Sequence, residues 1–185
     1  MNVIKTKIKD LVIIEPKVFG DERGFFYEMF QAERYKAAGI NADFVQDNRS
    51  RSTQGVLRGL HFQKNKPQGK LVSVTEGEVF DIAVDLRPHS DTFGQHEAVL
   101  LTGENKLQFY VPPGFAHGFC VLSETADFQY KCTDYYDPND ESGLLWNDPE
   151  LAIHWPLNNP LLSDKDKIQP TFSEIKDKLI NGWDK

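Results

Sequence analysis

Cysteine is nearly missing from these 185 residues: only Cys120 and Cys132 occur, and they form no CxxC pair. That speaks against a disulfide framework and against a cysteine-rich zinc site, and it makes a reducing cytoplasm the expected setting. Long apolar runs are missing from the amino terminus, where a leader or anchor would need one. MNVIKTKIKDLVIIE holds only the run Leu11 to Ile14, with Lys9 and Asp10 interrupting what precedes it, so neither a signal peptide nor a membrane span is expected. Without a secretory signal the sequon Asn48-Arg49-Ser50 carries no weight. Broad basicity is missing too. With 21 Lys and Arg against 28 Asp and Glu the chain has net charge −7, which argues against nonspecific nucleic-acid binding.

Acid, in turn, is missing from one window. Asn48 to Thr75 contains no Asp or Glu but carries Arg49, Arg51, Arg58, Lys64, Lys66 and Lys70, so it is +6 while the remainder is −13. His61, the side chain type that titrates nearest neutrality, sits at its centre. A small anionic ligand beside a proton-transfer group fits this arrangement. On charge alone, the plainer account is a solvated basic face around a satisfied core histidine.

The length suits one domain, residues 1–185, able to bury most of its apolar surface. Residues 2–15 read as a strand or two, and Phe19 to Gly24 as a turn leading into the aromatic run Phe25 to Phe30. Gln31 to Ala38 reads as a helix capped by Gly39. Extended structure resumes at 43–47. Short strands separated by turn residues then follow: Val56–Gln63, Lys70–Thr75, Glu78–Leu86, Gln95–Thr102, Leu107–Val111, Phe115–Leu122 and Ala126–Tyr135. Glu78–Leu86 alternates cleanly, with Phe80, Ile82, Val84 and Leu86 on one face and Val79, Asp81, Ala83 and Asp85 on the other. No helical crossover interrupts the strands of the core at about 43–135. The fold class is therefore all-β, a sandwich, jelly roll or barrel, with a proline-punctuated tail and a helix at about Phe172–Ile180 packed outside.

Alternation also nominates site residues. Tyr130 shares a face with Ala126, Phe128 and Cys132, which turns it inward; a core tyrosine with a satisfied hydroxyl is the bland alternative. Lys70 shares a face with Val72 and Val74, placing an ammonium at the inner surface, where it needs an anionic partner or a shifted pKa. Strict alternation puts Arg58 and His61 on opposite faces unless Gly59 bulges. In Leu162 to Asp166 an acid could reach back to a histidine and fix its tautomer, though an exposed loop explains the same residues.

Pro112-x-Gly114-x-x-His117 resembles the second motif of the cupins, small jelly-roll barrels. At the first motif, where a cupin carries two histidines two residues apart, this chain has His61-Phe62-Gln63. Gln63 is a poor transition-metal ligand, so the chain looks like a cupin without the metal cage, and no metal or other cofactor is expected. Taken in order, FGDERGFFYEMF from Phe19, QDNRSRSTQGVLRGLHFQ from Gln46, Gln68–Leu86, Pro112–Ser123, Tyr130–Trp146 and Leu162–Asp166 resemble the dTDP-4-dehydrorhamnose 3,5-epimerase family over nearly the whole chain.

That resemblance implies a cupin-type barrel acting on a dTDP-4-keto-6-deoxy sugar. It implies that His61 is the base, paired with Asp166; that Tyr130 is the acid across the ring; and that Lys70 stabilises the enolate. It further implies that Arg58 and His117 hold the diphosphate and sugar, and that Tyr136 stacks on thymine. Arg23, Glu28, Gln46, Asn48, Glu141 and Lys165 would contact nucleotide or sugar. A homodimer is implied in which an amino-terminal segment, with Arg23 and Glu28, serves the neighbouring site. The competing readings are a single-carbon epimerase or keto-isomerase, a non-catalytic sugar-nucleotide binding module, and a metal-dependent cupin oxygenase.

Overall fold

The computed structural model describes residues 1–183. In chain order it forms β1 (Asn2–Lys5), β2 (Val12–Glu15), β3 (Val18–Asp21), β4 (Gly24–Tyr27), α1 (Ala32–Ala37), β5 (Gln46–Thr53), β6 (Leu57–Gln63) and β7 (Lys70–Glu76). These are followed by β8 (Glu78–Asp85), β9 (His96–Thr102), β10 (Gln108–Val111), β11 (Phe115–Val121), β12 (Thr125–Cys132), β13 (Glu141–Gly143), a 3-10 turn (Asp166–Ile168) and α2 (Phe172–Asn181).

Two antiparallel sheets face each other. One runs β1-β2-β10-β7-β12-β5 and the other β13-β6-β11-β8-β9, giving the cupin-type jelly roll. Residues that alternate along each strand divide between the space inside and a layer outside. In β8, Val79 and Ala83 join Val74, Phe109 and Phe128 between the sheets, while Ile82 and Val84 face outward beneath Phe172 and Ile175 of α2. Both faces of β8 are thus buried, and its acids Asp81 and Asp85 are fully enclosed.

α2 is started by a capping box, in which Thr171 and Glu174 satisfy each other's backbone N–H groups. Its Phe172 side chain is 2% exposed, a burial worth about 1.5–3 kcal/mol. The smaller α1 begins at Gln31, whose side chain accepts from the Arg34 N–H at 2.6 Å, and it covers the outer face of the six-stranded sheet through Tyr35.

Four elements depart from the sequence expectation, one of them β13, which pairs with β6 within a stretch expected as loop. β5 extends through Thr53, deep into the acid-free window; it pairs with β12 alone, so its polar residues satisfy an edge strand without an apolar stripe. β12 stops at Cys132 instead of Tyr135, and the next residues form a loop held by side chains. The stretch from Val18 to Tyr27 is a hairpin, β3–β4, belonging to neither main sheet; Phe19, Phe25 and Phe26 on it are 53%, 63% and 70% exposed.

The tension between Arg58 and His61 resolves at Gly59. His61 pairs with His117 and Arg58 with Phe119, so β6 carries one residue more than β11 across this interval, and the ladder shifts there. That is a β-bulge, and it brings both side chains to one cavity. Gly59 has φ +123°, and the peptide to Leu60 is cis. A Cβ on Gly59 would stand 2.5 Å from Gly118 Cα and 2.8 Å from the His117 carbonyl oxygen. Only glycine fits.

Candidate active site

Four strands and one loop meet around His61. β6 supplies Arg58 and His61, β7 supplies Lys70, β11 supplies His117, β12 supplies Tyr130, and the loop before α2 supplies Asp166. His61, Lys70 and Tyr130 line both of two cavities, of about 240 and 470 Å³. Gln46, Asn48, Gln63, Tyr136 and Glu141 also line the smaller one; Arg58, His117, Lys165 and Asp166 also line the larger.

The His61 Nε2 and Asp166 Oδ1 atoms are 2.6 Å apart, with the Asp166 side chain 4% exposed. Burial pushes the Asp166 carboxyl up, but the hydrogen bond and charge of His61, with Ser163 and Lys165 acting the same way, together hold it below the ordinary carboxylate range. An ionised carboxylate only accepts, so the imidazole proton lies on Nε2 and the lone pair on Nδ1 is the ring's basic site. The Asp166 backbone N–H donates to Ser163 Oγ at 3.2 Å, which secures the acid at the head of its 3-10 turn.

Lys70 sits where alternation puts it, on the inner side of β7. Burial lowers its ammonium pKa, while Cys132, Asp81 and Glu141 act in the opposite direction. Its Nζ lies 5.9 Å from the centre of the Tyr130 ring. For Tyr130, burial raises the phenol pKa and Arg58 pulls against it, which keeps the hydroxyl protonated and able to donate.

Asp81 is a participant that the sequence reading left unassigned. It contacts His117 Nε2 with both oxygens, at 2.9 and 3.0 Å, and both side chains are buried. Burial raises the Asp81 carboxyl, with His117 and Lys70 drawing it back. The available signal was an acid at an inward position between Val79 and Ala83, which a barrel interior accepts only with a partner.

Around the smaller cavity, the Tyr136 hydroxyl donates to Glu141 Oε2 at 2.6 Å, and Lys165 pairs with the same carboxylate. Gln46 accepts from the Tyr136 N–H at 2.9 Å and donates to Asn48 Oδ1 at 3.1 Å. Arg58 donates from Nε to Ser52 Oγ at 3.2 Å. Arg23 and Glu28 stand apart from this group. Arg23 pairs with Asp21 on the exposed hairpin and Glu28 with Arg34 at 2.9 Å, and neither lines the two cavities.

Gln63 follows His61 by two residues yet spends its amide on loop backbone. Among the described residues, no three His, Cys, Asp or Glu side chains converge to hold a metal ion. No helix among them is long and apolar enough to cross a membrane.

Comparison with known proteins bears directly on this arrangement. Residues 5–174 match the protein family described as dTDP-4-dehydrorhamnose 3,5-epimerase. The chain is 58% identical over 168 residues to the dTDP-4-dehydrorhamnose 3,5-epimerase of Shigella flexneri, covering 90% of this chain and 93% of that one. It is 54% identical over 184 residues to the enzyme of the same name from Escherichia coli K12, covering 97% and 100%. The crystal structure of dTDP-6-deoxy-D-glucose-3,5-epimerase from Legionella pneumophila, in complex with dTDP-4-keto-L-rhamnose, superposes with a TM-score of 0.93 at 59% identity and 96% coverage of both chains. With the family match and these relatives spanning almost its whole length, the chain belongs to the dTDP-4-dehydrorhamnose 3,5-epimerase family of isomerases.

Proposed function

We propose that the protein converts dTDP-4-dehydro-6-deoxy-D-glucose to dTDP-4-dehydro-L-rhamnose by inverting C3 and C5, a step of dTDP-rhamnose biosynthesis. The observation that carries the chemistry is the meeting of His61, Lys70 and Tyr130 on walls common to both cavities, with Asp166 bonded to His61 from the larger one.

A C4 ketone acidifies the hydrogens on both neighbouring carbons. The Nδ1 atom of His61 takes one of them as a proton, and the C–H electron pair moves through the new C=C bond onto O4. Asp166 stabilises the resulting imidazolium. Lys70 supplies positive charge beside the enolate oxygen. Tyr130 returns a proton from the opposite face, which inverts the centre. Solvent then takes the proton from His61 and restores the one Tyr130 gave, after which turning or shifting the ring presents the hydrogen on the other side of C4 to the same base. None of these steps calls on a metal or redox cofactor.

Substrate contacts divide along the two cavities. Arg58 and His117 serve the diphosphate and sugar, Tyr136 stacks on thymine, and Gln46, Asn48, Glu141 and Lys165 hold polar groups of nucleotide or sugar. Binding at these remote groups orients the ring for proton transfer. The exposed aromatic hairpin β3–β4 supports a homodimer in which Arg23 and Glu28 complete the partner's site. A cytoplasmic setting is supported by two buried, unpaired cysteines.

Incubation with the 4-keto sugar nucleotide in deuterated water tests the reading. Deuterium at both C3 and C5 of an inverted product is expected. Label at one carbon alone overturns double epimerisation, and binding without exchange overturns catalysis.

A further inference from the structure

Gln63 occupies the position where a metal-binding cupin carries its second histidine, and the chemistry proposed above gives it no part. Its side chain is nonetheless buried, the residue being 5% exposed. The amide is also fully committed. Nε2 donates to the Lys66 carbonyl at 2.7 Å and to the Tyr135 carbonyl at 3.3 Å, while Oε1 accepts from the Asp137 N–H at 2.8 Å. Two donors and one acceptor in that geometry are available from an amide. A carboxylate has no donor, and a neutral imidazole has only one.

Tyr136 lies between the two tethered residues. Its own N–H donates to Gln46 Oε1 at 2.9 Å, so glutamine side chains hold the backbone at three consecutive positions, 135, 136 and 137. Tyr136 is 51% exposed and gains little from packing. Its place is therefore set by these backbone tethers and by the hydroxyl bond to Glu141.

We infer that Gln63 is a positioning residue for Tyr136, fixing the loop that presents the aromatic platform to the nucleotide base; this rests on the reading of Tyr136 as the thymine-stacking group. The barrel position that ligates metal in other cupins is here given to aligning a base-binding loop. Energy gained in stacking is realised only when the ring is already in place, because an unheld loop loses part of it to ordering.

Calorimetric titration of the full chain with dTDP and with inorganic pyrophosphate tests this, alongside steady-state kinetics. Gln63→Glu keeps the side-chain shape but sets an oxygen against the Lys66 and Tyr135 carbonyls; Gln63→Met removes all three bonds without adding charge. Base stacking supports an expected loss of about 10- to 100-fold in dTDP affinity for either variant. Pyrophosphate affinity should stay at the wild-type level, and KM should rise with kcat within about twofold. In a Tyr136→Ala background neither change should weaken dTDP binding further. If Gln63→Glu fails to fold, Gln63→Met decides. The inference is overturned if Tyr136→Ala loses dTDP affinity while the Gln63 variants keep it, if pyrophosphate affinity falls in parallel, or if the losses multiply in the double variants. Unchanged dTDP affinity in Tyr136→Ala removes the stacking reading itself, and the inference with it.

Discussion

Replacing Gly59 by alanine separates two costs that the bulge in β6 imposes. The first is conformational: a residue with a Cβ held at φ +123° pays about 1–3 kcal/mol. The second is steric. The added carbon would stand 2.5 Å from Gly118 Cα and 2.8 Å from the His117 carbonyl oxygen, and both belong to the backbone of β11, which cannot swing aside as a side chain would. Overpacking of this kind adds about 1–3 kcal/mol. The sum of about 2–6 kcal/mol corresponds to a fall in Tm of about 5–20 °C for a chain of this size. Activity should fall more than stability implies, because the same bulge brings Arg58 and His61 to one cavity. Gly24→Ala is the control: its φ is +129°, but nothing lies within 4 Å of the added Cβ. Differential scanning calorimetry and the deuterium-exchange assay on both variants decide the matter. Equal Tm losses would refute the steric part, and wild-type activity in Gly59→Ala would refute the link between bulge and site.

Other consequences can be checked in the same assays. Asp166→Asn leaves His61 a hydrogen-bond partner but no negative charge, so kcat should drop by about 10²–10⁴-fold with little change in KM; a change confined to KM would contradict the dyad. Tyr130→Phe keeps the ring and removes the donor. Deuterium should still enter at the carbons facing His61 while formation of inverted product falls by about 100-fold or more, and equal loss of exchange and inversion would count against Tyr130 as the opposite-face acid. Tyr136 gives a pH test. Its hydrogen bond to Glu141 pushes the phenol up to about 12, so whatever stability it contributes is present below the ordinary tyrosine pKa near 10 and is lost as pH rises through the folded value. Alkaline ultraviolet titration of Glu141→Gln should show one tyrosine ionising earlier than in wild type; identical curves would refute the coupling.

Strand succession, the outer helix α2 and the inward faces of Lys70 and Tyr130 were legible because alternation of period two reports directly which side chains meet the interior. β5 was less legible. Asn48, Arg49, Ser50 and Arg51 show no apolar stripe, since an edge strand with polar neighbours need not have one. Asp81 was visible as an acid in an apolar register, but its partner was not, because His117 lies 36 residues away and meets it only when β8 and β11 pair. Asp166 is 105 residues from His61. No local pattern spans that distance.

What the amino-acid order determined by itself was the all-β class, the inventory of chemical groups, and the glycine at 59 without which β6 cannot bulge. The class follows from side-chain periodicity and the demand for glycine at φ +123° from the residue's own backbone sterics, both local to the chain, whereas the clash with β11 is added by the fold. Tertiary structure alone decided which acid serves which histidine, that Arg58 and His61 share a cavity, and that Gln63 holds the loop around Tyr136. Each depends on groups brought to within hydrogen-bond distance by closure of the barrel. A single chain leaves Arg23 and Glu28 away from the two cavities around His61, since Arg23 lies in a hairpin hydrogen-bonded into neither main sheet and Glu28 follows it.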